Sequence, residues 1–559
     1  MSIAELVERH HTTLEDAIAA NRTRTFHAHW PEAPSGKIYG ENANADGEAA
    51  FRGQLNNPFR GLLQGASNAT VGEEASPYGF ALGITYPSDN VDMLVNRASA
   101  AQTAWRSLAP DERASILTEA LERASKRFFE IGYATQHTTG QGFVMAFQAS
   151  GPHAFDRALE AVALGLDAQE SFTSNVLWAK PMGKFEVSIE KSYRIAPKGI
   201  NVVIGCSTFP VWNTVPGMFA GLVTGNAVIV KPHPGSVYPI AIVIAELQQT
   251  LSDVGLDVHV CQLAADSVAE PRALDLIQHP AVRIVDYTGG PAFGAVVEQK
   301  AHEAGKTVFT EKAGVNCIII DSVQDATKAL DNVAFALSLY AGQMCTAPQN
   351  IFVPRSGVRT ADGRTLSVDE IAGLLRDRID ALVGNEKAGP GTIGAIQNPA
   401  TAARLDEALA LGLDVARASA PITQPGFDNA RSFSPLVLRT DASRRDIFER
   451  EWFGPISFIV ETDSFDHALT LVTDSVRQHG ALTTLVYTTD PAKADLAEDA
   501  IITAGAPVAF NFDSFVWVNQ SAAFSDFHGA GNNPAGNASF ADLTFVTARY
   551  NVLGVRKQA

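Results

Sequence analysis

Cysteine is scarce: Cys206, Cys261, Cys317 and Cys345 are the only four in 559 residues, widely spaced and with no C-x-x-C pair. Such spacing argues against a disulfide framework or a zinc site, and it fits a reducing, cytoplasmic setting. Basic residues are also few, with 43 Lys and Arg against 61 Asp and Glu, a net charge of -18 and a pI near 5.2. Phosphate backbones and anionic bilayers are bound by basic surfaces, so neither nucleic acid nor membrane is an expected partner. No apolar run is long and unbroken. The most apolar stretch, 204–230, is interrupted by Pro210, Asn213, Pro216, Asn226 and several glycines, which reads as buried strand and helix rather than a membrane span. The first eleven residues are charged and lack an apolar signal core, so export is not expected.

What is present is a long chain with 46% hydrophobic residues, enough for two or three domains. From Val91 to Phe129 the pattern is helical, with Val91, Leu94, Val95 and Ala98 on one face and a start signal at Pro110-Asp111. A second helical stretch, 154–165, follows the Gly140-Gln141-Gly142 break. The segment 184–194 alternates (Phe185, Val187, Ile189 against Glu186, Ser188, Glu190), the period of a half-exposed antiparallel strand and suited to an arm toward a partner subunit. From Gly199 onward short apolar strands alternate with helices: 201–204, 227–230, 258–261 and 283–287, then 317–320 and 351–353 after Glu311. This alternation predicts α/β architecture, with parallel sheets covered on both faces in two doubly wound lobes. The first 70 or so residues carry scattered aromatics and no clear period.

Several residues have a chemical argument. Cys345 lies 34 residues after Glu311; a thiol and a carboxylate can serve as nucleophile and base, although a lone cysteine is equally a buried hydrophobe. Asn213, in an apolar proline-bounded run, carries an amide that could donate to an oxyanion or simply satisfy a turn. Lys231 ends an apolar strand, where ligands bind in open parallel sheets; a solvated lysine is the plainer alternative. Gly289, Gly290 and Gly294 follow the 283–287 strand and open a helix, which would let an anionic cofactor approach the backbone. Glu451 could accept a ribose hydroxyl, or be a surface carboxylate.

Taken in order, Asn213, Lys231, the Gly289–Gly294 turn, Glu311, Cys345 and Glu451-Trp452-Phe453-Gly454-Pro455 resemble the motif series of the aldehyde dehydrogenase superfamily. The likeness runs from about Ala98 to Leu553, and the phrase from Glu311 to Asn316 with the long N-terminal segment is similar to the phenylacetate-degradation, PaaN-type branch. The resemblance implies an N-terminal extension (1–70), a nicotinamide cofactor lobe (71–311) interrupted by an oligomerisation arm (184–194), a catalytic thiol lobe (312–525), and a C-terminal return (526–559) with a strand at 543–552. It implies a homo-oligomer, dimer or tetramer. It also implies Cys345 as nucleophile, Asn213 with the Cys345 N–H as oxyanion donors, Glu311 as base for deacylation, and Lys231, His233, Gly289, Gly290, Gly294, Glu451 and Phe453 about the cofactor. No metal is expected.

The sequence departs from the family in places. Lys231-Pro232-His233-Pro234 replaces Lys-Pro-Ser-Glu, removing the ribose carboxylate; with His233 able to favour a 2'-phosphate, NADP is favoured over NAD. Lys312-Ala313 stands for Leu-Gly, Arg450 precedes Glu451, and Phe527-His528-Gly529 stands for Pro-Phe-Gly-Gly. The loop 510–517, with Phe510, Phe512, Phe515 and Trp517, falls where the family lines its substrate tunnel and suits a bulky apolar aldehyde, including the semialdehyde of a ring-opened aryl-CoA; core packing explains these aromatics as well. The alternatives are a CoA-acylating aldehyde dehydrogenase and a catalytically silent scaffold of the same fold.

Overall fold

A computed structural model describes residues 2–65, 69–312 and 314–559. Two parallel-type sheets dominate it. The first has five strands, all parallel: β3 (Ile200–Ile204), β4 (Ala227–Lys231), β5 (Cys261–Leu263), β6 (Val282–Gly289) and β7 (Thr307–Lys312), in the spatial order β7-β6-β3-β4-β5. Every residue of β3 and β4 is buried, as a sheet covered on both faces requires. The second sheet has seven strands: β8 (Cys317–Ile320), β9 (Asn350–Pro354), β10 (Asp414–Arg417), β11 (Leu436–Asp441), β12 (Ile456–Thr462), β13 (Thr484–Tyr487) and β14 (Ala509–Phe510), ordered β10-β11-β12-β9-β8-β13-β14. Only β10 runs antiparallel. The α/β fold expected from the alternation is therefore present. The expected strand over 258–261 starts later: Asp257 caps a 3-10 turn over Val258–Val260, and pairing begins at Cys261.

The alternating 184–194 segment is part of a larger three-stranded antiparallel sheet, β1 (Asn175–Met182), β2 (Phe185–Pro197) and the C-terminal β15 (Tyr550–Gln558), ordered β15-β2-β1. The expected 543–552 strand is divided, because Asp542 accepts from the Thr544 N–H at 3.0 Å and caps a helical turn over Leu543–Thr547 before β15 begins. Arg549, fully buried between the two, anchors this return on the first sheet through a two-pronged ion pair with Asp286 of β6, at 2.6 and 2.8 Å.

Helices α2 (Val91–Trp105), α3 (Pro110–Ser125) and α4 (Phe128–Thr139) occupy the helical stretch seen in sequence, with Leu94, Val95 and Ala98 buried. The 154–165 stretch extends to α5 (Pro152–Glu170), which is buried on almost every side rather than along one stripe. Against the expectation of no period in the first 70 residues, Ile3–Thr23 forms a 21-residue helix, α1, opened by a Ser2/Glu5 capping box. Its buried face is Leu6, His10, Leu14, Ala17, Ala20 and Asn21. Polar His10 and Asn21 sit in that stripe, which weakens the hydrophobic period; His10 is paired with Glu119 of α3 at 2.9 Å.

Candidate active site

Cys345 is carried on a strained turn. Helix α9 (Ala326–Ser338) runs into a 3-10 turn over Leu339–Gly342 in which Tyr340 and Ala341 both take left-handed backbone angles, φ 53° and 49°. Such non-glycine conformations cost energy and persist only when surroundings impose them. Here the fully buried Tyr340 donates its hydroxyl to the Thr139 carbonyl at 2.6 Å, and Gln343 Nε2 donates to the Tyr340 and Ala395 carbonyls, each at 3.1 Å. Gly342, at φ 66°, leaves room for the next loop: a Cβ there would lie 2.4 Å from the Gly454 carbonyl oxygen. Asn316 then fixes the thiol's own backbone, donating to the Cys345 and Ala347 carbonyls at 2.8 and 3.0 Å while accepting from the Leu482 and Thr483 N–H groups.

Glu311 stands near the end of β7, an edge strand covered by the C-terminal return through an isolated bridge to Gly536. Its Oε1 is the meeting point of the site. Asn213 Nδ2 donates to it at 3.2 Å, the Cys345 thiol at 3.5 Å, and His528 Nε2 lies 3.0 Å away. Oε2 is buried and makes no hydrogen bond among the described residues. The three expected catalytic residues are thus brought together, Asn213 and Glu311 buried and Cys345 half-buried. His528 lies beside them, although in the sequence it drew notice only as a departure from a glycine-rich phrase. It is held edge-on to Trp212, ring centroids 4.6 Å apart, and tilted against Phe540 at 5.4 Å. The ligand atoms of Glu311, Cys345 and His528 all lie within 4.8 Å of one another, a grouping that chain spacing did not reveal.

The thiol's surroundings oppose ionisation. Burial, and then the negative charge of Glu311, hold the Cys345 pKa well above the ordinary thiol range. Nearby Cys206, 3.7 Å from Asn213 Oδ1, is pushed by burial to about 11.

The other expected residues form two separate groups. Glu451 lines a cleft of about 550 Å³ together with Pro291, Lys312, Gly314, Arg445 and Arg450. Its carboxyl makes no hydrogen bond among the described residues, and burial raises its pKa to about 7, with Arg404 opposing. Phe453 follows at φ 22°, its carbonyl held by Arg404 Nη1 at 2.7 Å. Gly290 is open on its Cβ side, directly before helix α8 (Pro291–Glu303). Gly289 and Gly294 instead pack closely, a Cβ on Gly289 falling 2.5 Å from the Tyr287 hydroxyl and one on Gly294 2.6 Å from Lys312 Cδ. Of the phrase Lys312-Ala313, Ala313 lies outside the described residues; Lys312 is tied to Glu298 of α8 at 2.8 Å.

Lys231 and His233, at the carboxyl end of β4, do not line this cleft. Lys231 is buried and paired with Asp266 at 2.9 Å, so it is not the free cation pictured from sequence. His233 is neutral at physiological pH: burial, and then the charge of Lys231, lower its pKa to about 4. Its imidazole therefore offers no positive charge to a 2'-phosphate. An open helix start, a cleft in the size range of ligand sites and a half-buried carboxyl lacking a donor fit a nicotinamide dinucleotide.

Comparison with known proteins agrees with this geometry. The model of the aldehyde dehydrogenase family matches residues 85–536. A benzaldehyde dehydrogenase of Bacillus subtilis is 22% identical over 76% of this chain and 82% of its own length; an NAD(+) benzaldehyde dehydrogenase of Pseudomonas putida is 26% identical over 70% and 75%. Among solved structures, an NAD-dependent aldehyde dehydrogenase from Burkholderia multivorans is 46% identical, covers 99% of both chains and superposes with a TM-score of 0.96. A 1-pyrroline-5-carboxylate dehydrogenase from Thermus thermophilus, at 16% identity, covers 96% of this chain and 99% of its own with a TM-score of 0.76, a likeness of fold.

Proposed function

The chain belongs to the aldehyde dehydrogenase family, and from that premise we propose that Cys345, Glu311 and Asn213 oxidise an aldehyde to a carboxylic acid through a thiohemiacetal and a thioester. The observation that carries this reading is the convergence of the Cys345 thiol and the Asn213 amide on one oxygen of Glu311. The Cys345 thiol loses its proton to solvent as Sγ adds to the aldehyde carbon, which leaves Glu311 ionised. The Asn213 amide and the Cys345 N–H then donate to the oxyanion, where charge develops. A nicotinamide cofactor, when bound, accepts the hydride that leaves the thiohemiacetal carbon. Glu311 next withdraws a proton from the water that attacks the thioester, releasing the acid and restoring the thiol. Glu451 and the open Gly290 turn would hold the cofactor, the carboxylate accepting a ribose hydroxyl.

For the cofactor we favour NAD, reversing the preference drawn from sequence. The neutral His233 gives no reason for a 2'-phosphate, and the 46% identical Burkholderia protein is described as NAD-dependent. For the substrate we favour an apolar or aromatic aldehyde. Asn519, just beyond the aromatic 510–517 loop, accepts from Thr346 Oγ1 at 2.9 Å beside the thiol, and two benzaldehyde dehydrogenases are among the relatives. A semialdehyde of phenylacetate breakdown is the narrower candidate, supported by the Glu311–Asn316 phrase. The four free thiols support a reducing compartment such as the cytoplasm.

The test is the initial rate of nicotinamide reduction with NAD and NADP, against short, long and aromatic aldehydes, with and without CoA, beside a Cys345→Ala control. Thiol-dependent NADH formation without CoA is expected. A strict CoA requirement would make the enzyme an acylating one, and silence with every aldehyde would overturn the reading.

A further inference from the structure

Cys345 and Glu311, with His528 beside them, also support a second chemistry. We propose that Cys345, Glu311 and His528 form an inhibitory binding site for a thiophilic divalent cation such as zinc. A tetrahedral zinc ion bound by one sulfur, one imidazole nitrogen and one carboxylate oxygen sets its ligand atoms about 3.3 to 3.6 Å apart. Here Glu311 Oε1 lies 3.0 Å from His528 Nε2 and 3.5 Å from Cys345 Sγ, and all three ligand atoms fall within 4.8 Å of one another. The set needs movements of tenths of an ångström to about one ångström, not a rearrangement.

A second observation points to a ligand independently. Glu311 is buried, yet its Oε2 makes no hydrogen bond among the described residues, an arrangement that normally costs free energy. A cation at this point would satisfy the carboxylate. The donor set also selects the metal: one thiolate, one imidazole and one carboxylate suit zinc or cobalt, whereas magnesium and calcium call for oxygen ligands. Trp212 and Phe540 enclose the imidazole in apolar surface, orienting the ring and lowering the local dielectric. Binding is a ligand exchange: the Cys345 S–H loses its proton to solvent, the thiolate sulfur bonds the metal, and one proton is released per ion. The ion then occupies both the nucleophile and the base, so the dehydrogenase is switched off until a chelator or a competing thiol removes it.

The experiment uses the full-length enzyme, stripped with EDTA and free of nicotinamide, titrated with cobalt(II) and followed by absorbance. A thiolate-to-cobalt charge-transfer band with tetrahedral visible bands is expected, displaced by zinc. The charge-transfer band should vanish in Cys345→Ala. Even an outer partner of a metal ligand is worth about 10- to 100-fold in affinity, so His528→Ala should raise the zinc dissociation constant by about 100-fold or more. In the unmodified enzyme, zinc should also slow iodoacetamide labelling of the Cys345 peptide, read by mass, and EDTA should restore it. A charge-transfer band that survives Cys345→Ala, which would move the thiolate to Cys206, overturns the proposal. So do zinc affinity unchanged in His528→Ala, or labelling of Cys345 indifferent to zinc. These readouts do not depend on aldehyde oxidation, so a protein silent with every aldehyde could still bind cobalt, and the two readings fail separately.

Discussion

Glu311 gathers three donors on one oxygen while its charge works against the thiol beside it, and these two roles can be separated by substitution. Glu311→Gln removes the negative charge that, after burial, raises the Cys345 pKa. The resting thiol should then label faster with iodoacetamide near neutral pH, and the rate should climb with pH over a lower range than in the parent. The same variant should stall at the thioester, visible as an acyl-enzyme by intact mass. Slower labelling would instead mark Glu311 as the base that activates the resting thiol. Asn213→Ala tests the oxyanion donor: removing one such donor typically costs about 10²- to 10³-fold in turnover, with cofactor affinity little changed, and parent-level turnover would end that role. That Cys345, Glu311 and Asn213 meet was expected from the order of their motifs, which resembles the family's series, and not from any one of them alone. His528 was not expected with them, because it lies 217 residues from the carboxylate it meets and sits where the family phrase is broken. Lys231 was placed correctly at the strand end, but its pairing with Asp266 depends on the exit of a neighbouring strand, which no local pattern reports.

The loop that presents His528 is braced by Arg157 of α5 and, from residues 1–70, by Arg24. Arg157 of α5, its side chain entirely buried, pairs with Glu160 at 2.6 Å and donates to Ser521 Oγ and to the Ala522 and Asp526 carbonyls. Arg24, at the left-handed end of α1, donates to the Ala541 and Phe524 carbonyls and stacks over Phe527 at 4.3 Å. Breaking a buried ion pair from one side typically costs about 3–5 kcal/mol, because the remaining charge is stranded. Arg157→Ala should therefore lose about that much stability in urea denaturation. Arg24 is partly exposed and Glu160 keeps Arg157, so Arg24→Ala should cost about 1–2 kcal/mol. That variant should stay folded, turn over more slowly, and show faster amide hydrogen exchange across 521–541. Native exchange and native turnover in Arg24→Ala would reduce the extension to packing alone. Helix α1 escaped the sequence reading because its buried stripe runs through His10 and Asn21, each bonded to a polar partner elsewhere in the fold. Fully buried strands such as β3, β4, β8 and β9 show as continuous apolar runs and were read to within a residue, whereas β7 and β10 to β14 were not read, and Asp257 and Asp542 each cap a turn that delays the strand expected there.

The three-stranded arm poses the question of assembly. Its strands pair with one another over long registers, yet β1 is exposed along its whole length and β15 beyond Tyr550 is nearly so. Leu177 and Phe185 are 62% and 63% exposed, and Trp178, Met182, Leu553 and Val555 are exposed as well. Large apolar side chains exposed on both faces of one sheet mark an interaction site, and the sheet has no internal means of covering them. We expect a second copy of the chain to cover the arm. The alternation at 184–194 anticipated β2 and the family resemblance a C-terminal strand in the same arm, but neither showed β1, which a two-residue turn at Gly183 ties to β2. Trp178→Asp with Phe185→Asp places two charges on one face of this sheet without touching either core. Surface substitutions away from core features usually change stability by less than about 0.5 kcal/mol. Light scattering should therefore find the parent as an oligomer and the double variant as a folded species of monomer mass, near 59.5 kDa, with its denaturation midpoint lowered only by the loss of assembly. An oligomer that persists unchanged in the variant would move the interface to another face, and a monomeric parent would leave the arm to a different partner.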